Sequence, residues 1–411
     1  MNLLPEIAAL DADMRHWRHH LHAHPETAFE EKATSAFVAE KLREFGLTVH
    51  TGLAGTGVVG VLKHGHGHDA IGLRADLDAL HIHEKSGVAH ASTHEGKMHA
   101  CGHDGHTTML LGAARAMAQR KRFDGTAYFI FQPAEENEGG GRVMVQEGLF
   151  DRFPMKAVYG MHNWPELARG KIALREGPLM GAYDVFEIVA QGRGAHAAMP
   201  HLGRDPMPFA AHLINALQTI VARNIHPLEA GVVSVTQVHG GDTWNVIPQE
   251  VVLRGTARSF RPDVQDLIER RIGEIVTGLA STFDMTATLR YERRYPATIN
   301  TALETSHALA AAQAVVGADN VDTNPTPSMG SEDFAFMLQA KPGCYIWLGG
   351  GRGAGTPNLH NPHYDFNDEA LAIGASYWVT LAEAQLPMRA AAHGTAQPAG
   401  RTATATSGAP S

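Results

Sequence analysis

The chain has 411 residues, 44% of them hydrophobic, a formal charge of -9 and two cysteines. Its length exceeds the roughly 250–300 residues that one hydrophobic core organises, so at least two domains are expected. The acidic balance argues against a nucleic-acid binder. Cys101 and Cys344 are too few for a disulfide framework, and no apolar run approaches the ~20 residues of a membrane span. The start of the chain, with Glu6, Asp11 and Asp13, has no basic segment and no long apolar segment of signal-peptide type, so a cytoplasmic protein is expected.

Pro5 to His24 reads as a helix closed by Pro25. Glu30 to Phe45 reads as a second, with Val38, Leu42 and Phe45 on one stripe and Gly46 as its stop. His16, His19, His20, His22 and His24 fall on the first helix and its end and are read as a solvated polar face. His64, His66 and His68 alternate with glycine and are read as an exposed turn. Val58 to Leu62 and Ile71 to Ala75 are short apolar runs of buried-strand type, the second ending in Arg74-Ala75-Asp76-Leu77-Asp78. His106 to Gln119 is helical. Ala127 to Phe131 is a strand followed at once by Gln132-Pro133-Ala134-Glu135-Glu136, and Ala157 to Met161 is a strand with His162 at its end. Strands alternating with helices predict an α/β fold with a mostly parallel sheet covered on both faces. Its chemically rich residues fall past the strands' C-terminal ends, where such sheets hold ligands.

From Tyr183 the rhythm changes. Tyr183 to Ala190, Val232 to Val238, Val251 to Ser259 and Thr286 to Tyr291 read as strands, with helices at Pro208 to Arg223 and Pro262 to Thr282. The order βαββαβ is the ferredoxin-like plan. A discontinuous first domain, 1–182 and 298–387, is therefore expected to carry an inserted domain, 183–297. Beyond it, Ser306 to Val316 is helical, Cys344 to Leu348 is a strand and Asp368 to Leu386 is a final helix. Gly349 to Gly355 lacks the Lys-Ser/Thr ending of a phosphate loop. The tail, 388–411, is rich in Ala, Gly, Thr, Pro and Ser without periodicity and is expected to be disordered.

The densest chemistry is Met98-His99-Ala100-Cys101-Gly102-His103-Asp104-Gly105-His106-Thr107. Thiolate and imidazole are ligands that Zn, Mn, Co and Ni ions share. Cys101 and His103 are joined by Glu136, His162 and His360 as candidate ligands from four separate loops. Five are too many for one catalytic zinc, which takes about three protein ligands and a water. They suit two metals about 3.5–4 Å apart, with Cys101 as the bridge. Glu135 and Glu136 taken alone read as a solvated acidic loop, but adjacent side chains diverge, so one can bind metal while the other acts as a base. His99 and His106 are read as structural.

The runs MHACGHDGH, QPAEE, GMHNWP, SMGSEDF and LHNPHYDFND, in this order, resemble the M20 metallopeptidase family and, within it, the amidohydrolase branch of hippurate hydrolases, N-acyl-amino-acid hydrolases and auxin-conjugate hydrolases. The resemblance spans His22 to Leu386. It implies a di-metal catalytic domain with an inserted lid or dimerisation domain, and hydrolysis of N-acyl or N-aroyl amino acids; dipeptides and N-carbamoyl amino acids are the alternative substrates. By motif match it implies Cys101, His103, Glu136, His162 and His360 as ligands of two divalent ions, Glu135 as general base and Asp76 as a carboxylate supporting the site from behind. His196, in Gly192-Arg193-Gly194-Ala195-His196, is implied to reach the active site of a second copy in a homodimer or tetramer, with Asn245 and Arg258 on the substrate side. One departure is Ala79-Leu80-His81, where the family has Ala-Leu-Pro.

Overall fold

The computed structural model describes residues 1–388, so all of the expected tail except Met388 lies outside the described residues. The helices are α1 (Asp11–Ala23), α2 (Lys32–Glu44), α3 (His103–Arg120), α4 (Pro206–Thr219), α5 (Pro262–Thr282), α6 (Ala302–Val316) and α7 (Leu371–Gln385). The strands are β1 (Thr48–Leu53), β2 (Gly57–His64), β3 (Ala70–Asp76), β4 (Gly125–Gln132), β5 (Ala157–Ala168), β6 (Ala182–Gln191), β7 (Gly231–His239), β8 (Glu250–Ser259), β9 (Thr286–Tyr295) and β10 (Gly343–Gly351).

The large sheet runs β1-β2-β4-β3-β5-β10, with the two-residue strands Ile172–Ala173 and Val321–Asp322 beyond β10. Its centre, β4-β3-β5-β10, is parallel, while β1-β2 and β2-β4 pair antiparallel. Every residue of β3 is buried, as a strand covered on both faces requires. On one face Ile71, Leu73, Phe129 and Phe131 pack with Met109, Leu110, Tyr377 and Trp378. On the other, Ile130 and Val158 pack with Met144, Phe153, Phe334 and Tyr345. The mixed α/β class, with a mostly parallel sheet flanked by helices, is as the alternating pattern predicts.

A second, wholly antiparallel sheet has the order β7-β8-β6-β9. With α4 and α5 it follows the chain order βαββαβ. Phe186, Ile188, Phe209, Leu213, Ile268 and Ile272 fill a core of their own, and β6 alternates buried and half-buried residues along its length. One face of this sheet therefore meets its helices and the other is open.

Several elements differ from expectation. The first helix is divided: Pro5–Ala8 is a separate turn, and the chain bends at Ala9–Leu10 so that Ile7, Leu10 and Met14 all enter the core. Strand β1 is one-sided, with only Leu53 buried, and offers no apolar run to detect. Strand β5 continues six residues past His162, which places His162 inside the strand. The glycines 349–351 belong to β10. His22, expected on a solvated face, is fully buried, as is Arg18 one turn before it.

Candidate active site

A cleft of about 450 Å³ lies past the ends of β3 and β4 and beside the continuing β5. Its wall includes Cys101, Glu135, Glu136, His162, Glu332 and His360 from the large-sheet side, and Tyr183, Arg258 and Tyr295 from the second sheet.

Cys101 and His103 flank Gly102, whose φ of +89° is left-handed. A Cβ there would collide with Asn163 Oδ1 and lie 2.9 Å from Tyr364 Oη, so only glycine lets this loop close against β5. The loop turns directly into α3, and His103 is its first residue. Ala134 and His360 hold left-handed backbone without being glycine, at φ 53° and 63°. Such residues persist where surrounding contacts overdetermine them. Ala134 is pinned by its N–H donating to Glu31 at 2.9 Å, and His360 by its N–H donating to the Ala100 carbonyl at 2.8 Å.

The donor atoms converge in overlapping sets, each within 4.8 Å: Cys101, His103 and His162; Cys101, Glu136 and His360; His103, Glu135 and Glu136. Cys101 Sγ lies 3.3 Å from His162 Nε2, and His360 Nε2 lies 3.2 Å from Glu136 Oε1. Both buried imidazoles turn the same nitrogen inward. His103 Nδ1–H donates to the Asp78 carbonyl at 2.9 Å, and His162 Nδ1–H donates to the Asn163 carbonyl at 2.6 Å. Each ring thereby turns Nε2 away from that carbonyl, as the nitrogen that would meet a cation. His103 Nε2 and Glu136 Oε1 are buried without a hydrogen-bond partner.

The electrostatics ask for positive charge. Burial, then the carboxylates of Glu136 and Glu135, pushes the Cys101 thiol well up. Burial, then Glu332 and Glu136, pushes the Glu135 carboxyl well up. Burial, then His106, holds His162 well below its ordinary value, in the neutral form that binds metal. A cation amid these groups reverses each penalty that the anions impose on one another. The donors therefore fit a metal centre by chemistry, tautomer and charge.

Asp76 is fully buried, ion-paired to Arg74 at 2.8 Å, and 2.6 Å from His106 Nδ1. The carboxylate behind His103 is Asp78: its Oδ1 lies 3.2 Å from His103 Nδ1 while its Oδ2 accepts the Glu136 N–H at 2.9 Å. One side chain thus ties together two of the candidate ligand loops. Its signal was Asp76-Leu77-Asp78, two carboxylates spaced to share a side. Tyr295, also missed, accepts the Gly139 N–H at 3.0 Å and donates to the Glu135 carbonyl at 2.6 Å, bracing the Glu135 loop from β9. His106 receives the Asn163 N–H at 3.0 Å. Arg258 stacks over Tyr183, 4.0 Å from the ring centroid, and donates to Ser331 Oγ at 3.1 Å. No carboxylate pairs with it among the described residues, and burial lowers its pKa. His196 and Asn245 are exposed and absent from the cleft wall; His196 pairs with Val246 in a small two-stranded ribbon, and Asn245 lies in the turn just before Val246.

Residues 72–384 match the profile of peptidase family M20/M25/M40. The chain belongs to that family. It is 40% identical over 382 residues to a hippurate hydrolase of Campylobacter jejuni, covering 93% of this chain and 99% of the relative. It is 38% identical over 378 residues to an N-acetyl-L-cysteine deacetylase of Bacillus subtilis, covering 91% of this chain and 88% of the relative. A crystal structure of a dinuclear metal-binding M20 peptidase from Bacillus subtilis superposes with a TM-score of 0.80 at 33% identity, covering 92% of this chain and 99% of that one. The amidohydrolase branch expected from the five sequence runs is thus the right one, and the protein is an M20 metal-dependent amidohydrolase. No helix among the described residues is long and apolar enough to cross a membrane.

Proposed function

We propose that this M20 amidohydrolase cleaves the amide bond of N-acyl or N-aroyl amino acids, releasing a carboxylic acid and a free amino acid. The observation that carries the proposal is that the donor atoms of Cys101, His103, Glu136, His162 and His360 group in overlapping sets beside one cleft, which also holds Glu135 and an unpaired guanidinium, Arg258. The five donors would hold two divalent ions, drawn from Zn, Mn, Co or Ni. When bound, these supply Lewis acidity that activates water and polarises the scissile carbonyl.

Glu135 is the general base. It takes a proton from the attacking water and returns that proton to the leaving amine. Arg258, with Ser331 beside it, receives the amino-acid carboxylate, a task for a guanidinium without a carboxylate of its own. Asp76 and Asp78 hold His106 and His103 in place from behind. The unit 183–297 acts as a lid and dimerisation domain on the catalytic body formed by 1–182 and 298–387. From that lid, His196 and Asn245 serve the active site of a second copy, with His196 donating to the developing oxyanion. The working form is a homodimer, or a tetramer built from it, in the cytoplasm, and neither nucleic acid nor membrane is a partner.

A panel of N-acetyl, N-benzoyl and indole-acyl amino acids, dipeptides and N-carbamoyl amino acids, assayed after chelation and reloading with each ion, tests the proposal. Turnover of the N-acyl amino acids above the other two classes is expected. Preferred cleavage of dipeptides with a free α-amine would contradict it.

A further inference from the structure

His162 and Trp164 are two residues apart on β5, so both side chains leave the same face of the large sheet. On the adjacent parallel strand β10, Trp347 is the register partner of His162 and joins them on that face. The two indoles stack, with centroids 4.1 Å apart and planes 15° from parallel. Trp347 is buried in the core with Phe334 and Tyr345, so it fixes the plane of its neighbour. Trp164 is only half-buried and forms part of the cleft wall. One of its faces is covered by Trp347. Its other ring contact among the described residues is to His162, at 6.3 Å and 77°, close to edge-on.

The remaining wall divides by chemistry. Arg258 and Ser331 offer hydrogen-bond donors, and Glu135, Glu136 and Glu332 form an acidic floor, whereas Trp164, Met180 and Leu359 are apolar. A strand rises about 3.3 Å per residue, so the Trp164 platform sits roughly 7 Å along the sheet from the position of His162. A group attached to a carbonyl that reacts beside His162 therefore has the platform next to it.

We propose that Trp164, held flat by Trp347, is the platform for the acyl group and makes the enzyme selective for aroyl and arylacyl amino acids over acetyl ones. This rests on the amide-hydrolase reading above and adds the chemical class of the acyl group.

The test compares kcat/KM for N-benzoylglycine, N-acetylglycine and N-acetylphenylalanine in metal-loaded wild type, Trp164→Ala and Trp164→Phe, with metal content and Tm recorded for each. Wild type is expected to favour the benzoyl substrate. Trp164→Ala should lower the benzoyl-to-acetyl ratio by roughly 10-fold or more, the scale of one lost stacking contact, and Trp164→Phe should restore most of it. Competitive inhibition by benzoate should weaken in parallel. If Trp164→Ala does not fold, Trp164→Leu keeps apolar bulk without the planar ring and allows the same comparison. An unchanged ratio overturns the inference. So does a loss confined to N-acetylphenylalanine, which would place the platform under the amino-acid side chain. Wild type that cleaves N-acetylglycine with no benzoyl preference overturns this inference alone, whereas wild type that cleaves no N-acyl amino acid overturns the functional reading with it.

Discussion

Gly102 shows how much of the site depends on one missing methyl group. Its left-handed φ and its distance from Asn163 and Tyr364 leave no room for a side chain between two candidate ligands. Gly102→Ala is expected to destabilise the fold by on the order of 1–3 kcal/mol and to weaken metal binding, because Cys101 and His103 move with the strained loop. Denaturant midpoints and a metal-binding isotherm check both effects. Cys101, His103, Glu136, His162 and His360 could be picked out in the sequence because their chemistry is distinctive wherever they stand. Asp78 and Tyr295 were far less visible, because Asp78 offered only its spacing from Asp76, and a tyrosine gains meaning only from what the fold sets beside it. Asp78 matters because His103 and the Glu136 N–H arrive at its two oxygens from different loops.

Among the elements, helix α1 departs most from expectation. Polar residues on a helix read as a solvent face, but Arg18 and His22 point inward. Arg18 Nη1 donates to Asp365 at 2.9 Å and to Asp104 at 3.2 Å, joining the loop after His360 to the start of α3. His22 lies between Asp104, at 2.8 Å, and Glu84, at 3.3 Å. The partners are some 60 to 350 residues away in sequence, so no local pattern announces them. Burial opposes the charged form of His22, but Asp104 outweighs it and raises the imidazole from 6.5 to about 9. A folded-state pKa above the unfolded one means that this pairing stabilises fully below pH 6.5 and is lost as pH rises through about 9. Wild-type Tm should therefore fall between those values by a component that His22→Gln removes. Parallel Tm–pH curves for the two proteins would contradict the assignment. The strands were more legible than this helix, since apolar runs such as Ile71 to Ala75 are buried on both faces of the sheet, while one-sided β1 left no such trace.

For the whole molecule, the decisive feature is that two sheets with separate cores share one cleft. The large sheet brings the candidate ligands, and the second sheet brings Tyr183, Arg258 and Tyr295. The alternation of strands and helices revealed the first sheet and the βαββαβ order revealed the second. Their meeting at Arg258 and Tyr295 depends on packing between distant segments and was not written in any local pattern. His196 stands exposed and outside the cleft of its own chain. If it serves a second copy, His196→Ala and Glu135→Gln, each inactive alone, should regain activity when mixed, toward a quarter of the wild-type rate on statistical grounds. Continued inactivity after demonstrated subunit exchange would contradict that role.

The central claim, that five side chains from four separate segments build one metal centre served by Glu135, is tested most directly by titrating metal into chelated protein while following N-acyl amino acid hydrolysis. The stripped wild type should be inactive and regain full activity at two ions per chain. Glu135→Gln should take up the same two ions yet turn over roughly 10²–10⁴-fold more slowly. Full activity without metal, or a Glu135→Gln rate within a few-fold of wild type, would contradict the account.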